Sequence, residues 1–129
     1  MSKLEDKIRA QQFRLVTNLQ SGDVRSAAGR AAAAGKRTMG SSIVEDASQP
    51  GSTTFRVKGP GKLVTQMVLL LTWEAAPNGG LLVTLQVGDY LTTRPTVFGF
   101  VPIGPSQAPG LWSLQRFSEW MKRELGAVA

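Results

Sequence analysis

The 129-residue chain contains no histidine and no cysteine. Without histidine it lacks the side chain whose unperturbed charge changes near neutral pH, the commonest general base and metal ligand. Without cysteine it has no thiolate nucleophile, no disulfide and no thiolate ligand for zinc or an iron–sulfur cluster. We therefore predict that the protein is not an enzyme and that it has no catalytic, cofactor-binding or metal site.

Long apolar runs are also missing. The longest, Met67 to Leu71, is far shorter than the roughly 20 residues of a membrane-spanning helix. The N-terminus mixes basic and acidic residues where a signal peptide would carry an apolar stretch. We expect no transmembrane segment, a cytoplasmic location and, from the length, a single domain over residues 1–129.

The net charge of +6 is concentrated towards one end of the chain. Residues 1–44 carry eight basic and three acidic side chains, whereas residues 45–129 carry seven and six. This asymmetry favours an anionic partner, either nucleic acid or an acidic membrane. The alternative is that the charges only keep exposed helices in solution. The candidate anion contacts are Arg25, Arg30, Lys36, Arg37, Lys58 and Lys62.

Residues 1–39 have the pattern of a basic segment with two helices. A capping box at Ser2 to Glu5 predicts the start of the first helix, and Ser21-Gly22 predicts its end. Its apolar residues recur on one helical face, at Leu4, Ile8, Leu15 and Leu19. Asp23 can cap a second helix from Val24 to Arg37, whose small residues favour close approach of another element.

The rest of the chain predicts an antiparallel sheet followed by a helix. Residues 40–52 are rich in serine and glycine and predict a polar linker, with one short strand at 42–45 as an option. Residues 53–129 then predict a β-meander and a C-terminal helix. Alternation of apolar and polar residues indicates four strands, at 53–58, 63–74, 81–87 and 96–101.

Asn78-Gly79 is the strongest turn signal in the sequence, because both residues accept a positive φ. A tight turn there pairs residues whose numbers sum to about 155–157. In that register Glu74 and Asp89 are about 20 to 26 Å apart, at about 3.3 Å per residue. We therefore predict that these two carboxylates do not form an acid–base pair.

The strand at 63–74 is apolar on both faces. One face carries Met67, Leu69, Leu71 and Trp73, and the other carries Val64, Val68 and Leu70. A strand of this kind needs a cover on each side, from helices of its own chain or from another subunit. Because the chain has few helices, we expect it to form a homo-oligomer.

The C-terminal helix is predicted to begin near Leu111 and to end at Gly126. Its apolar sector should lie on the sheet and consists of Leu111, Leu114, Phe117, Met121, Leu125 and Val128. Trp112 projects from the opposite side, near Arg116 and Arg123. It is either a partner contact or a residue covered by another part of the chain.

These patterns predict an α+β protein. We expect a four-stranded antiparallel meander with two N-terminal helices and a C-terminal helix packed on the sheet. The favoured function is that of a small non-catalytic binding or accessory protein. One alternative is an anionic-surface binder that uses the N-terminal helices. The other is a carrier of a lipid-like or other apolar ligand between sheet and C-terminal helix, in a cavity lined by Met67, Leu69, Leu71, Trp73, Phe98, Phe100, Leu114, Phe117 and Met121.

Overall fold

Three helices and a five-stranded antiparallel sheet make up most of the protein. The computed structural model describes residues 3–36, 42–59, 64–77, 79–90, 96–97, 101–102 and 108–126. The helices are α1 (Lys3–Gln11), α2 (Ser21–Ala34) and α3 (Leu111–Leu125). The strands of the sheet are β1 (Phe13–Thr17), β2 (Ser42–Gln49), β3 (Ser52–Lys58), β4 (Thr65–Ala75) and β5 (Leu81–Tyr90). Two short strands, β6 (Thr96–Val97) and β7 (Val101–Pro102), pair with each other.

The strands of the sheet lie in the order β1-β5-β4-β3-β2. Four consecutive strands, β2 to β5, form a meander, and β1 pairs with the far side of β5. Leu71 pairs with Leu85 and Trp73 with Val83, so the numbers of paired residues sum to 156. The α+β class, the antiparallel meander and the predicted pairing of the 64–90 hairpin are therefore confirmed.

The prediction that the first helix continues to Leu19 is wrong, because α1 ends at Gln11 and residues 13–17 form β1. The side chain of Gln12 accepts a hydrogen bond from the backbone N–H of Val87 at 2.9 Å, which fixes the start of the strand beside β5. Phe13 and Thr17 are buried on the helix-covered side of the sheet. Pairing with a distant strand thus overrides a helical spacing of leucines.

The predicted linker and the predicted fourth strand are also corrected. Residues 42–49 form the edge strand β2, which pairs with β3 and is interrupted by a bulge between Glu45 and Ala47. Its polar composition reflects its exposure at the sheet edge rather than the absence of regular structure. The predicted strand 96–101 does not extend the sheet, since β6 and β7 form a separate pair and residues 98–100 lie outside the described part.

All three helices pack on one face of the sheet. In α3, Phe117 has no exposed surface and its ring centroid lies 5.3 Å from that of Phe55 on β3. Ser113 donates a hydrogen bond at 2.8 Å to the carbonyl of Gly35, which lies directly after α2. A Cβ at Gly35 would collide with Ile43 and approach the Ser113 carbonyl to 3.2 Å. The predicted close approach of another element to the small residues of α2 is confirmed.

The predicted N-cap of α2 is wrong, whereas the predicted end of α3 is confirmed. Helix α2 begins at Ser21 with Gln20 as its N-cap, so Asp23 is the third helical residue and not the cap. Asp23 still contributes, because its carboxylate accepts from the Gln20 N–H at 3.4 Å. Helix α3 ends as predicted at Gly126, whose φ of 54° suits glycine.

Replacing Phe117 by alanine should remove the largest buried contact between α3 and the sheet. We expect Phe117→Ala to lower the free energy of unfolding by about 3 to 5 kcal/mol, because the surrounding core cannot fully close the space. Arg116→Ala, one residue earlier on the exposed side of α3, is the matched control and should change stability by less than about 0.5 kcal/mol. Urea denaturation followed by tryptophan fluorescence measures both; similar losses would show that the buried face of α3 is wrongly assigned.

Candidate functional site

The residues predicted to line an apolar cavity form a packed core where they are described. Six of them have no solvent-exposed surface, namely Met67, Leu69, Leu71, Leu114, Phe117 and Met121. Trp73 is 6% exposed, and Phe98 and Phe100 lie outside the described residues. The described members of this set contact one another and the neighbouring core, which lends no support to a carrier function.

The described members of the predicted anion contacts do not form one cluster. Arg25 donates to the Ser48 hydroxyl and, at 3.2 Å, to the carbonyl of Gln49, and it lies 5.4 Å from the centre of the Trp73 ring. Arg30 on α2 pairs with Glu124 on α3. These two arginines attach α2 to the β2–β3 turn and to α3, so both already have structural partners.

The other predicted anion contacts are spread over the molecule. Lys58 on β3 donates to the Thr65 hydroxyl at 2.8 Å. Lys36, after α2, is exposed. Arg37 and Lys62 lie outside the described residues. No joint anion site can be built from this set.

The acidic side chains of the sheet are also far apart. Glu74 is opposite Leu82 near the turn between β4 and β5, whereas Asp89 is near the other end of β5, where Tyr90 pairs with Met67. The predicted separation of the two carboxylates is confirmed. In the described part of the chain, no group of three or more acidic side chains could hold a metal ion. None of the described helices is long and apolar enough to cross a membrane.

The second face of the sheet has no helix on it in the described part of the chain, and we call it the open face. Along β4, alternate residues are buried under the helices, while Val68, Leu70 and Thr72 between them are partly exposed on the other side. The strand register places the remaining members of the open face beside them. These are Arg14 and Val16 of β1, Leu82, Thr84 and Gln86 of β5, Glu74 of β4, Ser52, Thr54 and Arg56 of β3, and Val44, Ala47 and Gln49 of β2.

Apolar side chains cross the open face obliquely, and we call this row the apolar diagonal. Its members, from β1 to β2, are Val16, Leu82, Leu70, Val68 and Val44. Val16 is opposite Leu82 at one end, and Val68 and Val44 flank Arg56 at the other. Val44 is 36% exposed. Thr72 and Thr84 fill the gap between Leu82 and Leu70, and Arg56 fills the gap between Val68 and Val44. The methyl and hydroxyl groups of threonine suit both apolar and polar contacts.

The charged residues of the open face differ in their pairing. Arg56 donates its Nε to the Asp46 carboxylate at 2.8 Å. Arg14 and Glu74 are both exposed and lie on opposite sides of the apolar diagonal. No ion pair within the described residues involves either of them. The open face therefore carries Arg56, which is paired with Asp46, and two charged residues, Arg14 and Glu74, that have no ion pair among the described residues.

A surface pocket of about 240 Å³ lies at one end of the open face. It is lined by Arg56, Thr65, Val68, Asp89 and Tyr90. Bulges interrupt both pairings of β4 at this end, one near Lys58 and one near Met67. Bulges redirect side chains and increase local twist, which explains why a depression forms there.

A second, wider groove of about 500 Å³ lies on the helical side. It is lined by Gln11, Trp112, Gln115, Arg116, Glu119 and Lys122. Trp112 is half-buried and faces the groove beside Arg116, on the side of α3 predicted from the sequence. Arg123 instead lies over the ring of Trp120, 5.5 Å from its centre.

Charge is divided unequally between the two layers. Helices α1, α2 and α3, which we call the helical layer, contain eight basic and five acidic residues, a net charge of +3. Strands β1 to β5 contain three basic and four acidic residues, a net charge of −1. The helical layer is thus more positive than the sheet, which is close to neutral.

Comparison with known proteins gives no relative of this chain. No protein family model, curated protein or solved structure matches it. The function is therefore inferred from the surfaces themselves.

Sequence reasoning missed Arg14 and Val16 as surface residues because it placed them in a helix. The alternation of Phe13, Leu15 and Thr17 with Arg14 and Val16 is the signal of a half-buried strand. The five-residue pattern is short, and the leucine spacing around it favours a helix. Recognising the strand would have placed Arg14 and Val16 on one face of β1, but not on the same sheet face as Glu74, because that depends on the pairing of β1 with β5.

Two neighbouring leucines of β4 test whether the open face is uncovered. Leu69→Thr should lower the free energy of unfolding by at least about 3 kcal/mol, because it creates a void and buries a hydroxyl group. Leu70→Thr should change it by less than about 1 kcal/mol, since threonine suits an exposed strand position. Chemical denaturation at low micromolar protein concentration measures both values. Equal losses would show that something in the chain covers the open face.

Proposed function

We propose that the protein is a non-catalytic binding protein and that the open face binds a protein partner. The observation that carries this proposal is the apolar diagonal, which lies on a sheet face that no described helix covers. Contiguous exposed apolar surface rimmed by polar residues is typical of interaction sites. A strand that only faced water would carry polar residues where β4 has Val68 and Leu70.

The shape of the open face favours a protein over a small molecule. Small-molecule sites are concave and enclose most of the ligand in about 300 to 1,000 Å³. The pocket on the open face is smaller, about 240 Å³, and the apolar diagonal extends well beyond it, from β1 to β2, with members on four of the five strands. A broad surface with an apolar centre and a polar rim corresponds to a protein–protein interface.

The composition of the open face also suits association. Thr54, Thr72 and Thr84 offer hydroxyl groups on short side chains, which lose little conformational freedom on binding. Arg14 and Glu74 can form ion pairs across the interface without breaking an existing one among the described residues. Such pairs contribute mainly to orientation and specificity.

Site-specific photocrosslinking in the cell that naturally produces the protein tests this proposal. A photoreactive phenylalanine analogue at Thr72, in the middle of the open face, should form covalent adducts with protein that mass spectrometry identifies. The same analogue at Lys7, on the exposed side of α1, is the control and should give few adducts. Leu70→Lys should abolish the adducts at Thr72. Adducts at Lys7 but not at Thr72, or adducts insensitive to Leu70→Lys, would contradict the proposal.

A second candidate function is the binding of an anionic polymer by the helical layer. The net charge of +3 on the helices, against −1 on the strands, supports this candidate. The groove beside α3 adds Arg116 and Lys122 next to Trp112. The expected contacts with the polymer are therefore Arg116 and Lys122. Arg25 and Arg30 are not expected to contribute, because they have partners within the chain.

Titration with a 20-nucleotide single strand of thymidylate tests the second candidate. Arg116→Gln with Lys122→Gln should weaken binding and lower the slope of log affinity against log salt by about 1 to 2, because each lost phosphate contact lowers it by about 0.7. Arg14→Gln on the open face is the control and should leave both values unchanged. Deleting the basic residues 1–44 would not test this assignment, because the deletion also removes the strand β1 from the sheet and the helix α2 from the core. Equal effects of the control and the double variant would contradict the assignment to the helical layer.

A further inference from the structure

The open face has the layout of a surface that matches a second copy of itself. Resting on the proposed function, we propose that two copies bind face to face in a symmetric dimer whose two-fold axis runs along the apolar diagonal. The partner of the open face is then the open face of the second copy.

The strand register fixes the layout. Paired residues are about 4.8 Å apart across the sheet, and successive outward residues on one strand are about 6.6 Å apart. Val16 and Val44 are separated by four strand spacings and by three steps along the strands. The apolar diagonal is therefore about 28 Å long and inclined by about 45° to the strands. Rotation about this line places apolar side chains of one copy on those of the other.

The same rotation pairs the two unneutralised charges. On this grid Glu74 lies about 7 Å to one side of the diagonal, and Arg14 lies about 5 Å to the other side. Their positions along the diagonal differ by about 2 Å. A two-fold rotation about the diagonal brings Glu74 of one copy opposite Arg14 of the other. Because the interface is isologous, the ion pair forms twice. In the single chain the two residues are on strands separated by β5.

Other two-fold axes fit less well. An axis along β4 places Glu74 of one copy against Glu74 of the other, which is repulsive. An axis along β5 places Leu82 of one copy on Leu82 of the other. The same axis places Leu70 of one copy level with the chain before β1 of the other copy, where no strand residue covers it. With the diagonal axis, Arg56 of each copy lies near the axis and is already neutralised by Asp46. The diagonal is the arrangement that covers the apolar row and opposes unlike charges.

The resulting packing has known geometry and a modest area. Strands inclined by about 45° to the axis cross those of the second copy at about 90°, which is the orthogonal class of sheet packing. Five strands and about eight residues of length give a face of about 600 Å² per copy. Stable interfaces bury about 800 Å² per partner, so we expect a weak, reversible dimer that is populated at high micromolar concentration.

Charge reversal with complementation tests this dimer by sedimentation velocity. Arg14→Glu and Glu74→Arg should each weaken self-association at least about tenfold, since each opposes like charges twice. An equimolar mixture of the two variants should restore dimers, and these should be heterodimers, because both pairs are then of opposite sign. Lys7→Glu and Asp6→Arg, which make the same charge changes on the exposed side of α1, are the controls and should leave self-association unchanged.

The outcomes separate this inference from the proposed function. Restored association in the mixture supports the diagonal axis. Unchanged self-association of both Arg14→Glu and Glu74→Arg would overturn the diagonal axis. A mixture of the two variants that stays monomeric would also overturn it. A wild-type protein that is monomeric at 200 µM would overturn the second copy as partner, while adducts of Thr72 with a different protein would still support the open face. Dimerisation of Leu70→Lys with unchanged affinity would overturn the open face itself.

Discussion

The packing of α3 on one face of the sheet is the constraint on which the rest of the fold depends. Besides the contact of Phe117 with Phe55, three buried or half-buried hydrogen bonds connect α3 to the rest of the fold. Two serine hydroxyls of α3 donate, and one backbone carbonyl of α3 accepts. Ser113 binds the end of α2, Ser118 donates at 2.6 Å to the last residue of α1, and Thr17 of β1 donates at 2.7 Å to the carbonyl of Leu125. One helix thereby fixes two helices and an edge strand, and the described chain has no further helix for the other face.

The asymmetry between the two faces follows from this arrangement and leads to the proposed binding function. Along β4, Leu69 and Leu71 are closed off by the helices, while Leu70 between them lies on the open face. The helical layer carries a net charge of +3, against −1 on the strands of the sheet. A face-to-face dimer would leave both helical layers outside, so that apolar association and contact with an anionic polymer would use separate surfaces of one assembly.

Much of the fold could be predicted from local patterns, and the two missed strands have different physical origins. The Asn78-Gly79 sequence predicts the β4–β5 register that the strands show, and the apolar sector around Phe117 identifies the buried side of α3. The strand β1 was missed because it is held by pairing with residues 81–85, far along the chain, and β2 was missed because it is a polar, exposed edge strand. The juxtaposition of Arg14 and Glu74 on one face could not be predicted, since it depends on β1 joining β5.

The central claim is that the outward side chains of β4 and β5 are uncovered in one chain and covered on association. Methyl NMR with a soluble nitroxide measures this directly at each side chain. At low micromolar concentration, we expect the methyl signals of Leu70 and Leu82 to broaden and those of Leu69 and Leu71 to stay sharp. At several hundred micromolar, the signals of Leu70 and Leu82 should become protected as well. Protection of Leu70 at both concentrations, or broadening at both, would contradict the account.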